Sequence, residues 1–153
     1  MSIWVCGEVL IDLLPGTPNR VAIVGGGPAN TAKALSRLGY EVQLGKWPVF
    51  HLALPGTKPE NDNWIARKAR VVHATGNSTM RERVFAEENS FDWYSENNLP
   101  EETHAIHGGG LPLNVNGIGL AGVLLISGLP QVQDHLLGVE VIAEFLARKG
   151  EQQ

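Results

Sequence analysis

The chain has 153 residues, 43% of them apolar and 18% charged, with a formal net charge of −4. That size and balance fit one domain with a sizeable core and exclude a disordered chain or the basic footprint of a nucleic-acid binder. The single cysteine, Cys6, excludes a disulfide framework or a cysteine metal site within the chain. The longest apolar run, near Ile118–Ile126, falls far short of the roughly 20 residues of a membrane span. Residues 2–14 are apolar but carry Glu8 and Asp12 behind no positive charge, so they make a poor signal peptide. A cytoplasmic protein is the expectation, and Asn77-Ser78-Thr79 then matches a glycosylation acceptor by chance.

Residues 3–15 read as a strand entering a loop, and Val21–Val24 as a second short strand. Gly25-Gly26-Gly27 opens a helix with Pro28 in its first turn; Ala32, Leu35 and Leu38 give that helix one apolar face, and Gly39 stops it. Glu41–Leu44 is the next strand. The run from Gly7 to Asp12, then Gly25 to Asn30, resembles the opening of ribokinase-like (PfkB) sugar kinases. That resemblance implies sugar contacts at Asp12, Gly25, Gly26 and Asn30. A competing pattern is a dinucleotide fingerprint at Gly25 and Gly27. Its third position is Asn30, and Lys46 stands near where the acidic residue is expected. The glycines also fit a plain helix-entry loop. No Gly-Ala-Gly-Asp segment follows anywhere in the chain, so the base and anion hole of a sugar kinase are missing. The kinase-like opening covers residues 1–45, with a seam expected near Leu44–Trp47 and a second segment, 46–150, completing a single domain over 1–153.

Val49–Ala53 reads as a short strand ended by Pro55-Gly56. Thr57 to Glu60 fits a capping box, with Thr57 accepting from a free amide and Glu60 reaching back. The helix then carries Trp64, Ile65, Lys68, Ala69 and Val72 at helical spacing; Val71–Thr75 also fits a strand, and Gly76 is the stop. Met80–Glu88 predicts a short helix. Phe91, Trp93 and Tyr94 form an aromatic cluster that either builds a lid or subunit contact or pins the loop to the core. Pro100–His104 reads as one helical turn.

Leu111, Leu113 and Val115 alternate with polar or small positions, the pattern of a strand with one buried face. Asn116-Gly117 predicts a type I′ hairpin turn. Ile118–Ile126 is nearly all apolar, as in a strand covered on both faces. Ser127-Gly128 breaks it. The last helix is predicted from Pro130 to Arg148, with Val132, Leu136, Val139, Ile142, Phe145 and Leu146 on the face that covers the sheet. Gly138 inside it costs about 1 kcal/mol against alanine.

His107 to Leu113 and Ser127 to His135, with Phe50–Thr57 and Asn61–Val72 upstream, resemble the GlcG/HbpS-like family, whose members carry the labels haem-degrading and PduO C-terminal-like. The likeness covers roughly residues 49–150. It implies an α+β, profilin-like domain of three α/β/α layers with an antiparallel sheet of about five strands. It also implies a domain that binds, or degrades, haem or a related small ligand, and a homo-oligomer as the form of assembly. Two alternatives stand beside this: a non-catalytic oligomeric scaffold, and a fused or truncated sugar kinase without its ATP half.

The candidate ligand residues are His107, Gly108, Gly109, Asp134, His135, Asn61, Trp64 and Lys68. His107 precedes three glycines, where a planar ligand can approach the backbone, and haem is commonly held by a histidine. His104 lies three residues earlier and can face the same side. A loop histidine donating to a carbonyl explains His107 as well. His51, His73, His104, His107 and His135 show no His-x-x-x-His pair and no thiolate partner, so no zinc site is expected. Asp134 and His135 are adjacent on a helix and do not face each other, which argues against a direct relay. Ser127 lacks the elbow motif of a hydrolase nucleophile.

Overall fold

The computed structural model describes residues 12–13, 22–23 and 38–150. The glycines at 25–27 and the helix expected to follow them lie outside the described residues, apart from the fully buried Leu38. Gly25, Gly26 and Asn30 are therefore outside as well. Two short strands, β1 (Asp12–Leu13) and β2 (Ala22–Ile23), pair antiparallel.

The main sheet has four antiparallel strands in the order β4-β3-β6-β5, one fewer than expected. They are β3 (Gly39–Leu44), β4 (Trp47–Ala53), β5 (Gly110–Val115) and β6 (Gly119–Ser127). β3 and β4 form a hairpin with Leu44 opposite Trp47, so the expected seam at 44–47 is a tight turn within one sheet. Their register shifts between Val42 and Gln43, and β4 carries Pro48 between the exposed Trp47 and Val49. The β5–β6 hairpin departs from the predicted type I′ turn. Val115 pairs with Gly119, Ile118 N–H donates to the Val115 carbonyl at 3.0 Å, and positive φ falls on Gly117 and Gly119, not on Asn116. Ile118 thus sits exposed in the turn instead of starting the strand.

β6 explains its own apolar run. Val123 and Leu125 point to one face, against Ile65, Ala69 and Val72 of helix α1 (Pro59–Thr75). Leu124 and Ile126 point to the other face, with Leu111 and, from helix α4 (Gln131–Gly150), Leu137, Val141 and Ile142. Alternation of side chains across a strand means that only a sheet covered on both sides needs both sets apolar. The α/β/α layering is thereby set.

α1 remains helical through Thr75 and ends at Gly76, whose φ of 71° lets its N–H reach the Val72 carbonyl at 2.8 Å. Its start differs from the expected box. Lys58 is the N-cap, and the Asn61 side chain accepts the Lys58 N–H at 3.0 Å. Thr57 instead donates its hydroxyl to the Leu54 carbonyl in the preceding turn, which takes it out of the capping position.

α4 turns a different face inward from the one predicted. Val132, Leu136, Val139, Phe145 and Leu146 are exposed, whereas Asp134, Leu137, Gly138, Val141 and Ile142 face the sheet side, with Ile142 alone common to both readings. A Cβ on Gly138 would lie 2.4 Å from Leu111 Cδ1, so the glycine permits close helix–sheet contact. The helix begins at Gln131, with the Pro130 carbonyl accepting from Gln133 and Asp134.

Helices α2 (Thr79–Glu88) and α3 (Trp93–Asn97) form the excursion between α1 and β5. Trp93 is 2% exposed and packs with Val71 and Ala86, flanked by Phe91, Tyr94, Leu99 and Ile106. The aromatic cluster therefore pins the excursion to α1. The Trp93 indole N–H donates to Glu82 at 2.7 Å, which satisfies the buried polar edge of the ring. The turn at 100–104 is tied to α1 by Arg67 and Arg70, which donate to the carbonyls of Glu101 and Thr103. Among the described residues no helix is long and apolar enough to cross a membrane.

Candidate functional site

Three segments meet at one end of the sheet. α1 supplies Asn61, Trp64 and Lys68, spaced at three and four residues and so on one helix face. The loop before β5 supplies His107–Gly109. The β6–α4 connection supplies Ser127 to Gln131 and, within the first turn of α4, Asp134. A cavity of about 280 Å³ between them is lined by Asn61, Trp64, Lys68, His107 and Asp134, with Glu60, Gln131 and the 127–129 turn. Five of the eight candidate ligand residues thus share one wall.

The floor is a buried ion pair. Lys68 Nζ lies 2.9 Å from Asp134 Oδ2 and 2.7 Å from the Ile126 carbonyl, and both side chains are 3% exposed. Asp134 Oδ1 accepts the Leu129 N–H at 2.9 Å, and Asn61 donates to the Ser127 carbonyl at 3.1 Å. Burial pulls the Lys68 ammonium down and pushes the Asp134 carboxyl up, each toward its neutral form, while their mutual attraction works the other way. The pair ties α1, β6 and α4 together across 66 positions of sequence.

Gly108 and Gly109 are there for proximity. A Cβ on Gly109 would stand 2.4 Å from the Ile126 carbonyl oxygen and 2.8 Å from Lys68 Nζ; one on Gly108 would stand 2.2 Å from the Gln131 carbonyl oxygen. These glycines seat the loop directly on the ion pair and on the Ile126 and Gln131 carbonyls, where any side chain would collide.

His107 stands between two cavities. The second, of about 350 Å³, is lined by Arg83, Phe91, Trp93, Tyr94, Glu101 and Ile106 among others, and His107 is the one residue on both walls. Its ring meets Trp64 edge-on with centroids 4.8 Å apart, and the Arg67 guanidinium covers the Trp64 ring at 4.5 Å. His107 Nδ1 is buried with no hydrogen-bond partner among the described residues. Burial lowers its pKa, and the nearby charges of Arg83, Lys68 and Arg67 lower it further. Both effects favour the neutral imidazole, and the tautomer decides which ring nitrogen carries the proton.

The remaining candidates fall elsewhere. His135 lines neither cavity, although its Nδ1 is also buried without a partner among the described residues. Asp134 engages Lys68, which rules the adjacent His135 out as its partner. His104 interacts with its own turn, through the Thr103 hydroxyl at 2.9 Å and the Pro100 carbonyl at 3.3 Å, so it does not join His107. Asp12 lies in β1. Arg83, Gln131 and Arg67 went unselected in the sequence; for Arg67 the signal was present, since it follows Trp64 by one helical turn.

The architecture defines a class: a small α/β/α domain built on a four-stranded antiparallel main sheet, with a cleft where both flanking helices meet that sheet's end. The chain belongs to the HbpS-like family, described as haem degrading protein HbpS-like, which it matches over residues 30–143. It is 41% identical over 147 residues to a UPF0303 protein of Streptomyces avermitilis, covering 95% of this chain and 78% of that one. In structure it is similar to Ybr137w, with a TM-score of 0.67, 23% identity and coverage of 78% and 72% of the two chains. It is also similar to PduOC, solved as a heme complex, with a TM-score of 0.59, 21% identity and coverage of 74% and 86%. At those identities the two structures establish the fold alone. The family match reaches upstream of residue 45, and the Streptomyces alignment takes in nearly all of the opening segment. Nothing in these relatives supports the sugar-kinase resemblance.

Proposed function

We propose that this protein binds haem or a related planar ligand in the cleft around His107, the residue that would hold the group. The observation that carries this reading is the position of His107. It is a neutral imidazole set between two cavities, with one ring nitrogen lacking any partner among the described residues. A buried polar atom left unpaired in a native fold calls for an explanation, and a missing ligand is one. The fit extends to the surroundings. Trp64 offers an aromatic wall, Gly108 and Gly109 hold the loop that carries His107 tightly against β6 and α4, and Arg83 and Gln131 stand beside the ring. When bound, haem supplies redox and oxygen chemistry that protein side chains lack. The chain's own part is to hold the group, exclude water with Trp64 and the Tyr94 side, and keep His107 deprotonated. The family description of a haem degrading protein and the heme complex of PduOC support the reading.

A haem titration followed at the Soret band, on the wild type and on His107→Ala, tests it. A saturable, shifted band that is lost in His107→Ala is expected. A featureless spectrum with the wild type overturns the reading. Degradation is read separately, as decay of the bound Soret band under reductant and air.

A homo-oligomer is the assembly we propose, on the outward row of Val132, Leu136 and Val139 along α4, all more than 40% exposed. Light scattering of the wild type and of Leu136→Glu decides it; a wild-type monomer at high concentration refutes it.

A further inference from the structure

Haem carries two propionate groups, and three cations stand around His107: Arg83, Lys68 and Arg67. Two are already committed. Arg67 donates to the Glu101 carbonyl at 3.1 and 2.6 Å and to the His104 carbonyl at 3.4 Å, and its flat face lies on Trp64. Lys68 is sealed beneath Gly109 with Asp134 and the Ile126 carbonyl.

Arg83 differs. Its Nε meets Glu87 at 2.7 Å and its Nη1 meets the Gln131 side-chain oxygen at 2.8 Å. Its Nη2 has no partner among the described residues, and its side chain is 30% exposed. Arg83 lines the larger cavity and Gln131 the smaller, so their hydrogen bond crosses from one to the other beside His107. The same Gln131 oxygen accepts the Gly108 N–H at 3.4 Å. His107 and this bridge together form the partition between the two cavities.

We propose that Arg83 selects the ligand by charge, leaving Gln131 to take a carboxylate of a broad ligand that occupies both cavities. The proposal rests on the haem reading above. Three arguments support it. A carboxylate is a stronger partner for guanidinium than a neutral amide, so the exchange is favourable. The planar fork of arginine accepts a carboxylate with two parallel bonds. The side chain moves alone, since Arg83 sits in the middle of α2 and no backbone bond depends on it. The carboxylates of Glu87 (which already pairs with Arg83), Asp92 and Glu101 line the larger cavity and oppose an anion there, which puts the ligand's carboxylate on the Gln131 side of Arg83.

The test compares haem with its dimethyl ester, in which both carboxylates are neutral, by Soret titration and tryptophan quenching on the full chain. The wild type is expected to bind haem at least about tenfold more tightly than the ester. Arg83→Gln brings that ratio close to one by weakening haem more than the ester. Gln131→Glu holds Arg83 with a charged partner and weakens haem alone. Should Arg83→Gln lose helical circular dichroism, Gln131→Glu and Arg83→Lys carry the comparison, the lysine giving an intermediate ratio. A wild-type ratio near one, or a ratio that persists in Arg83→Gln, overturns the role of Arg83 and leaves the His107 reading standing. No saturable binding of either compound overturns both.

Discussion

The two walls of the cleft are built on different physical terms. On the Lys68 side the charges are buried, paired and tied to three separate segments, and two glycines hold the loop against them at close range. On the Arg83 side the cation is partly exposed and is shared between the exposed Glu87 carboxylate and the neutral Gln131 amide. The first wall is part of the fold's stability. The second can change partners without disturbing the fold. A cleft that must hold its shape and still admit a ligand gains from having one of each.

Asp134→Ala should show the sharpest contrast between the walls. It leaves Lys68 buried without its counter-ion and should cost about 3–5 kcal/mol in denaturant unfolding. Lys68→Met combined with Asp134→Leu should recover much of that loss, because no lone charge then remains. A single-variant cost under 1 kcal/mol would show the pair to be dispensable.

Gly109→Ala comes next. Its φ of 109° and the 2.4 Å approach to the Ile126 carbonyl predict a loss of about 2–3 kcal/mol, read from the urea midpoint. A neutral result would mean that the loop relaxes off the ion pair. On the opposite wall, Arg83→Gln should shift unfolding by no more than about 0.5–1 kcal/mol, the range of exposed ion pairs. A cost equal to that of Asp134→Ala would erase the distinction between the walls.

The smallest expected effect is on pH dependence. Burial holds the folded pKa of His107 below the ordinary value of about 6.5. Between those two values the unfolded chain binds more protons, so stability rises with pH across the window and is complete above it. Acidifying through the window should lower Tm, and His107→Gln should flatten the slope in part. His73 and His135 supply the remainder, since burial lowers both. Identical slopes for the two proteins would place His107 in water.

Much of the fold could be read from the residues. The doubly covered run of β6 follows from periodicity, and α1 announces itself through Ile65, Ala69 and Val72; of the alternating face expected in β5, Leu111 is buried and Leu113 half-buried, whereas Val115 is exposed at the turn. The buried face of α4 could not be read that way. Its inward stripe contains Asp134 and Gly138, whereas a hydrophobic count favours the outward row of Val132, Leu136 and Val139. Asp134 is inside because Lys68 meets it there, and 66 intervening positions hide that pairing from any local pattern. Asn61, Trp64, Lys68, His107 and Asp134 were reached through shared motifs. Arg83 was not, because a cation in a polar helix looks like ordinary solvent-facing charge until Gln131 is seen beside it.

Among the described residues β4 is an edge strand of the main sheet, which has a consequence for association. An open strand edge invites another chain to extend the sheet, with amyloid-like stacking as the extreme. Here Pro48 offers no N–H, the register shift beside Gln43 distorts the ladder, and Lys46 sets a charge at the turn. Trp47 and Val49 remain exposed on that same strand. Their apolar surface is thus available to side-chain contact while the backbone refuses templated growth, a combination that permits sticking without polymerisation.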